Sequence, residues 1–181
     1  MLKDFEHNKN TVCWKYKEKE IKLQLKNIIL SYENKKNEYI EVEIGQNFER
    51  EKYLYYDYNG NLIMESNIKE EYIWWKYNEK EEKIKIENLL ITLLSIKRRV
   101  IVVQYRVGKL DKAFILNLEG DFLYDITPPE GFRLWYFSDD QEGIRVACDG
   151  IKKYADSYGR TSYWFLIDLE TGRLTKQGLA Y

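Results

Sequence analysis

One stretch decides the fold, because it has the pattern of two strands joined by a tight turn. It is Trp164-Phe165-Leu166-Ile167-Asp168-Leu169-Glu170-Thr171-Gly172-Arg173-Leu174. An apolar run leads to Asp168, one apolar residue follows, and a polar turn carries Gly172 before the chain becomes apolar again. Glycine tolerates the left-handed backbone that such turns require. The pattern therefore predicts an antiparallel β-hairpin.

The same pattern occurs twice earlier in the chain, at residues 54–63 and 114–123. The first copy turns at Asn59-Gly60, a pair typical of type I′ turns, in which both central residues have positive φ. The position before each turn is filled by Asp57, Asn117 or Asp168. Because an amide replaces the carboxylate in one copy, we expect a structural hydrogen-bonding role there and not catalysis.

Each of these hairpins follows another predicted hairpin, formed by residues 21–31 with 39–44, 89–96 with 100–105, and 132–137 with 144–148. Two hairpins make a four-stranded antiparallel meander. The sequence thus predicts one β domain over residues 1–181, with units at about 11–66, 72–127 and 130–181. The prolines at 128 and 129 mark the boundary between the second and third units.

The apolar spacing within the predicted strands indicates which faces are covered. Alternation at residues 21–25 and 40–44 predicts strands with one face in water. The continuous apolar run at 100–103 predicts a central strand that is covered on both faces. Residues 86–94 also have helical spacing, so a short helix is an alternative to a strand there.

Composition supports an all-β class and limits the possible partners. The chain has 16 Tyr, 7 Phe and 5 Trp, side chains that favour half-buried strands. Its formal net charge of -1 excludes the broad positive field of a general nucleic-acid binder. No apolar run approaches the length needed to span a bilayer. We therefore expect a cytoplasmic protein without direct nucleic-acid or membrane partners.

The residues that usually carry catalysis or bind cofactors are scarce. His7 is the only histidine, which excludes Ser-His-Asp and Cys-His catalysis as serious candidates and every zinc site that needs two imidazoles. Cys13 and Cys148 are far apart, and no glycine-rich phosphate-binding loop occurs. We therefore expect a non-enzymatic protein without metal or cofactor.

The third unit, with FSDDQEGIRVACDG followed by YWFLIDLETGRL, resembles a blade of a TolB-type β-propeller. In those blades a strand ends near Ser-x-Asp-Gly, and a hairpin with aliphatic-Asp-aliphatic-x-x-Gly ends the unit. The resemblance implies an all-β, small or incomplete β-propeller-like domain of four-stranded antiparallel meanders. This resemblance does not indicate a function, because β-propellers have many unrelated functions.

In type, the chain resembles immunity proteins of bacterial contact-dependent inhibition and related polymorphic toxin systems. That resemblance implies a cognate toxin domain as partner, which we expect to be a nuclease whose active site is covered. An acidic and aromatic surface would suit its basic groove. The expected contact residues are Asp139, Asp140, Glu142, Glu70, Glu71, Trp74 and Trp75. The alternative function is a carbohydrate-binding or sugar-processing propeller-like domain with Trp and Tyr platforms.

Overall fold

A computed structural model describes residues 2–180, and it confirms the all-β prediction. One three-residue 3₁₀ helix, Lys152–Tyr154, is the single helical element of that range, so no helix there could cross a membrane. All other regular elements are strands. They are β1 (Lys3–Asn8), β2 (Thr11–Tyr16), β3 (Lys19–Gln24), β4 (Ile28–Asn34), β5 (Tyr39–Gln46), β6 (Glu49–Asp57), β7 (Leu62–Asn67), β8 (Tyr72–Tyr77), β9 (Lys80–Lys85), β10 (Leu89–Ser95), β11 (Val100–Val107), β12 (Leu110–Asn117), β13 (Phe122–Ile126), β14 (Phe132–Asp139), β15 (Ile144–Gly150), β16 (Ser162–Ile167) and β17 (Leu174–Leu179).

The strands form four antiparallel sheets, β1-β2-β3, β4 to β9, β10 to β13 and β14 to β17, each in sequence order. The chain divides into two compact units after residue 89, with two sheets in each. We call these the first unit and the second unit, in place of the three units predicted from the sequence. The predicted unit at 130–181 coincides with the fourth sheet, whereas the predicted unit at 72–127 is divided between β8–β9 and β10–β13. The sheets are compatible with blade-like repeats.

In the first unit, the sheet β1-β2-β3 packs on one face of the six-stranded sheet. Trp14 of β2 is 1% exposed and packs with Ile40, Val42 and Leu54 of the neighbouring sheet. Its Nε1–H donates a hydrogen bond of 2.8 Å to the Tyr58 carbonyl oxygen. A buried indole N–H needs such a partner, so this bond fixes the orientation of the ring.

In the second unit, the sheets β10–β13 and β14–β17 share one apolar cluster. The first contributes Val102 and Ile115, and the second contributes Leu134, Val146 and Phe165, all at most 3% exposed. The run at 100–103 lies in β11, between β10 and β12, and all four residues are buried. The prediction of a central, doubly covered strand is confirmed, and residues 89–95 form a strand, not a helix.

The carboxylates and the amide before the glycine turns have the structural role that the sequence predicts. Asp57 Oδ1 accepts backbone N–H bonds from Asn59 and Asn61, each 2.9 Å long. Asn117 Oδ1 accepts the Asp121 N–H at 2.7 Å, and Asp168 Oδ1 accepts the Glu170 N–H at 2.8 Å. Side-chain oxygens that bond to nearby backbone N–H groups in this way stabilise turns.

Two predictions about turns and strand boundaries are wrong. The turn at Asn59-Gly60 is not type I′, because only Gly60 has positive φ (89°), and the β6–β7 register shifts by one residue after the turn. This is the geometry of a longer loop that ends in a glycine bulge. Residues 21–31 do not form one strand: Asn27, at φ 60°, separates β3 from β4, which belong to different sheets.

A longer repeat becomes evident when the strands are compared. The sequence Trp-Lys-Tyr-Lys-Glu-Lys-Glu at 14–20 recurs 61 residues later as Trp-Lys-Tyr-Asn-Glu-Lys-Glu at 75–81. The two copies form the hairpins β2–β3 and β8–β9, with the same sequence of buried and exposed positions. Trp75, like Trp14, is 1% exposed. The chain therefore repeats a six-strand pattern, β2 to β7 and then β8 to β13.

Candidate functional site

The second face of the sheet β14–β17 carries a group of aromatic side chains. Val146 and Phe165 are paired across β15 and β16 and point into the apolar cluster of the unit. Since side chains alternate along a strand, Arg145 and Trp164 point to the opposite face. Tyr136 lies there too, because it is paired with Ala147, the partner of Trp164.

The rings of this face pack edge to face. The centroids of Trp135 and Tyr136 are 5.0 Å apart at 80°, and those of Tyr136 and Trp164 are 5.0 Å apart at 81°. The Arg145 guanidinium lies 4.8 Å from the centre of the Trp164 ring, a cation–π contact. We call Trp135, Tyr136, Arg145 and Trp164 the aromatic face. Its members hold one another in place, so little side-chain entropy is left to lose on binding.

Trp135 is the most exposed member of the aromatic face, at 55%. It occupies a β-bulge, because the register of β14 against β15 shifts between Leu134 and Tyr136. A bulge redirects a side chain away from the regular alternation. Trp135 also borders a pocket of about 350 Å³, whose polar lining consists of Asp111, Arg133, Asp149 and Ser162.

The predicted acidic residues of the second unit lie in the β14–β15 turn, and arginines neutralise two of them. The Asp139 side chain is buried, where it accepts bonds from Ser95 (2.7 Å) and Arg98 (3.1 Å). Asp140 forms an ion pair with Arg145 of the aromatic face. Only Glu142 is mostly exposed, at 66% of its side chain, and it lies 3.8 Å from Arg145.

The other predicted residues lie in the first unit, on β8 and the turn before it. Glu70 is exposed, and the Glu71 carboxylate accepts the Asn88 N–H at 2.8 Å. Trp74 is half-buried, whereas Trp75 is fully buried and belongs to the interior. Consecutive residues of a strand point to opposite faces, so Trp74 is the member of the pair that a partner could reach.

The sequence did not identify a buried carboxylate pair in β5. Glu41 and Glu43 are 7% and 6% exposed, so the prediction of a strand with one face in water at residues 40–44 is wrong. Glu43 accepts a hydrogen bond from Arg50 Nε on β6, at 2.5 Å. The signal that could have indicated burial is the aromatic character of the paired strands, which place Tyr32 and Tyr55 opposite Glu41.

Burial changes the protonation of Glu41. The pKa of the Glu41 carboxyl is raised to about 7: burial is the largest cause and the negative charge of Glu43 adds to it, whereas the Tyr32 hydroxyl and Arg50 act in the opposite direction. Burial likewise raises the pKa of Tyr32, which donates a hydrogen bond to Glu41. Among residues 2–180, no three His, Cys, Asp or Glu side chains come together as a metal-binding group.

Comparison with protein families and with curated proteins finds no match to this chain.

Proposed function

We propose that this protein is a binding domain that neutralises a bacterial toxin, as immunity proteins do, and that the aromatic face is its principal contact surface. The partner class, a toxin domain with nuclease activity, is inferred from the resemblance in type to immunity proteins. In this mechanism the domain covers the active site of the toxin, so that its substrate no longer has access.

The composition of the aromatic face is the observation that supports a protein partner. Trp, Tyr and Arg are the residues most enriched among those that dominate binding energies at protein interfaces. Here Trp135, Tyr136, Trp164 and Arg145 are in mutual contact on one face of a sheet. Such a preorganised group can bury its exposed apolar surface at a small entropic cost.

The ion pairs of the second unit reduce the contribution that the acidic residues can make to binding the toxin. Arg98 and Arg145 compensate Asp139 and Asp140, so these carboxylates offer little net negative charge to a basic groove. Glu142 keeps most of its side chain in solvent. The aromatic side chains therefore contribute most of the affinity, and the acidic residues act mainly on the rate of association.

The test is to co-express this protein with the toxin that the proposal expects the neighbouring gene to encode, and to measure both binding and nuclease activity. We expect a stable complex in which the nuclease is inactive. Trp135→Ala should weaken binding by about 30-fold, the loss typical of a dominant contact residue. The matched control is Phe122→Ala, because Phe122 is similarly exposed (57%) in the same unit but lies in a different sheet.

Two results would contradict the proposal. A complex whose nuclease remains fully active would exclude blockade of the active site. Equal affinities of the Trp135→Ala variant and the unmodified protein would exclude the aromatic face as the contact surface.

One observation favours carbohydrate binding as a second candidate function. Trp135 presents a largely exposed ring beside a pocket lined by the charged side chains of Arg133 and Asp149. Sugars bind to such sites by stacking on the ring and by hydrogen bonds to polar neighbours. A glycan-array signal that is lost in Trp135→Ala, together with no binding to the toxin, would establish this function in place of the first.

A further inference from the structure

The first unit has a pocket of about 480 Å³ where the end of β1, the start of β4 and the β5–β6 turn meet. This volume is within the range of small-molecule sites. The residues with polar or aromatic side chains that line it are His7, Asn8, Lys9, Asn27, Asn47 and Phe48. All belong to the first unit, so the pocket is independent of the aromatic face and of the function proposed for it.

Backbone hydrogen bonds join the three walls of this pocket. The Ile28 N–H donates to the Lys9 carbonyl oxygen (2.9 Å), and the Gly45 N–H donates to the Asn27 carbonyl oxygen (3.0 Å). A Cβ atom at Gly45 would lie 1.9 Å from the Glu49 carbonyl oxygen, so only glycine fits there. The pocket is therefore part of the folded structure and needs no rearrangement to open.

Phe48 at the rim has a backbone conformation that its two-residue turn requires but that an aromatic residue rarely adopts. It is the second central residue of a two-residue turn in which Asn47 and Phe48 both have positive φ, 52° and 64°. Aromatic side chains disfavour this left-handed region, where glycine is normally found. The ring is also 89% exposed. Glu18, which has the corresponding position in the β2–β3 turn at φ 65°, is a polar residue.

The exposed ring and the strained backbone have a common explanation if Phe48 contacts a ligand. Backbone strain of this kind is concentrated at functional sites. An aromatic ring at the rim of a pocket offers a surface for stacking by a planar group, as aromatic side chains do for nucleobases. Ile28 and Ile29 add apolar lining beside it.

The remaining lining chemistry suits an anion. Lys9 supplies an ammonium group, His7 an imidazole, and the three asparagines supply amide N–H donors. None of the residues that line the pocket, all in the described part of the chain, has a carboxylate, although the chain has 30 Asp and Glu. Charge-assisted hydrogen bonds from Lys and His to phosphate oxygens are among the strongest in proteins.

We propose that this pocket binds a small anion that carries a planar ring, the chemical class of the nucleoside monophosphates. Phe48 stacks on the ring, Lys9 and His7 contact the phosphate, and the asparagine amides bond to the polar edges of the ligand. The site lies in a different unit from the aromatic face, so a failure of either proposal does not affect the other.

The experiment titrates the full-length protein with AMP, GMP, CMP and UMP, and separately with the matching nucleosides and inorganic phosphate. Binding is measured by calorimetry and by chemical-shift changes. We expect saturable binding of at least one monophosphate with a Kd below about 1 mM. Its nucleoside and inorganic phosphate should each bind at least tenfold more weakly, because each lacks one of the two contacts.

Phe48→Gly is the decisive variant, because glycine is well suited to φ 64° and we therefore expect it to retain the fold. It should lose at least tenfold in affinity while its thermal stability stays equal or rises. Glu18→Gly, at the same turn position, is the matched control and should change stability similarly without changing affinity. Lys9→Gln should also lose at least tenfold in affinity.

Three results would overturn the proposal: no saturable binding of any monophosphate, undiminished affinity in Phe48→Gly, or inorganic phosphate binding as tightly as the monophosphates.

Discussion

Replacement of Glu41 by Gln should stabilise the protein at alkaline pH. The Glu41 carboxyl is buried beside Glu43, and its pKa is raised from 4.5 to about 7. The folded state therefore holds this proton over a pH range in which the unfolded chain releases it. Below pH 4.5 the carboxyl is protonated in both states, so its full contribution to stability is present there. As pH rises towards 7 that contribution is lost.

The size of the effect follows from the pKa difference. A difference of about 2.5 pKa units between the folded and unfolded states corresponds to about 3 kcal/mol of unfolding free energy above pH 7. Glutamine has nearly the same shape, carries no charge, and retains an oxygen that can accept the Tyr32 hydroxyl. Glu41→Gln should thus have the stability of the unmodified protein near pH 4 and exceed it by up to about 3 kcal/mol at pH 8.5.

The assay is urea unfolding of both proteins, followed by tryptophan fluorescence at pH values from 4 to 8.5. Glu43→Gln is the control on the same strand and face. Because Glu43 forms an ion pair with Arg50, its replacement leaves the guanidinium without a carboxylate and should destabilise the protein at neutral pH. Equal pH dependence of stability in Glu41→Gln and the unmodified protein would refute the reasoning.

Two further predictions concern burial and close contacts. Burial raises the pKa of the Cys148 thiol to about 12, so iodoacetamide should label Cys148 only after unfolding. The half-buried Cys13 should react in the folded protein. Mass spectrometry measures the labelling of both cysteines. A Cβ atom at Gly60 would lie 2.8 Å from Ile21 Cγ2, whereas one at Gly108 would meet nothing within 4 Å, although both glycines have positive φ. Gly60→Ala should therefore lose at least about 1 kcal/mol more stability than Gly108→Ala in thermal unfolding, and equal losses would show that the contact has no cost.

Local chemistry made part of the fold predictable. Asp57, Asn117 and Asp168 bond to backbone N–H groups within four residues, so their role is contained in the sequence beside them. The strand at 100–103 is predictable because a continuous apolar run has no face suited to water. The error at Asn59 is of a single residue in loop length, a difference that the Asn-Gly signal does not encode.

Burial at the candidate sites was less predictable, because it depends on residues distant in sequence. Glu41 and Glu43 alternate with apolar residues as solvent-exposed glutamates do, and only their cross-strand neighbours bury them. Likewise, the acidic run at 139–142 has the pattern of a charged surface, but Arg98, 41 residues away, is hydrogen-bonded to Asp139. The aromatic face is not evident from the sequence for a related reason, since Tyr136 and Trp164 meet only through pairing with β15.

The strictly sequential order of strands in each sheet has a consequence for how the protein folds. All-β proteins usually fold slowly, because distant parts of the chain must meet before the backbone groups of a strand can form their hydrogen bonds. Here each strand of the described range pairs only with strands adjacent in sequence, so the loops that must close are short. On the ribosome, the sheets up to residue 85 can form while the rest is still being synthesised. Assembly can thus proceed from the N-terminus, one hairpin at a time.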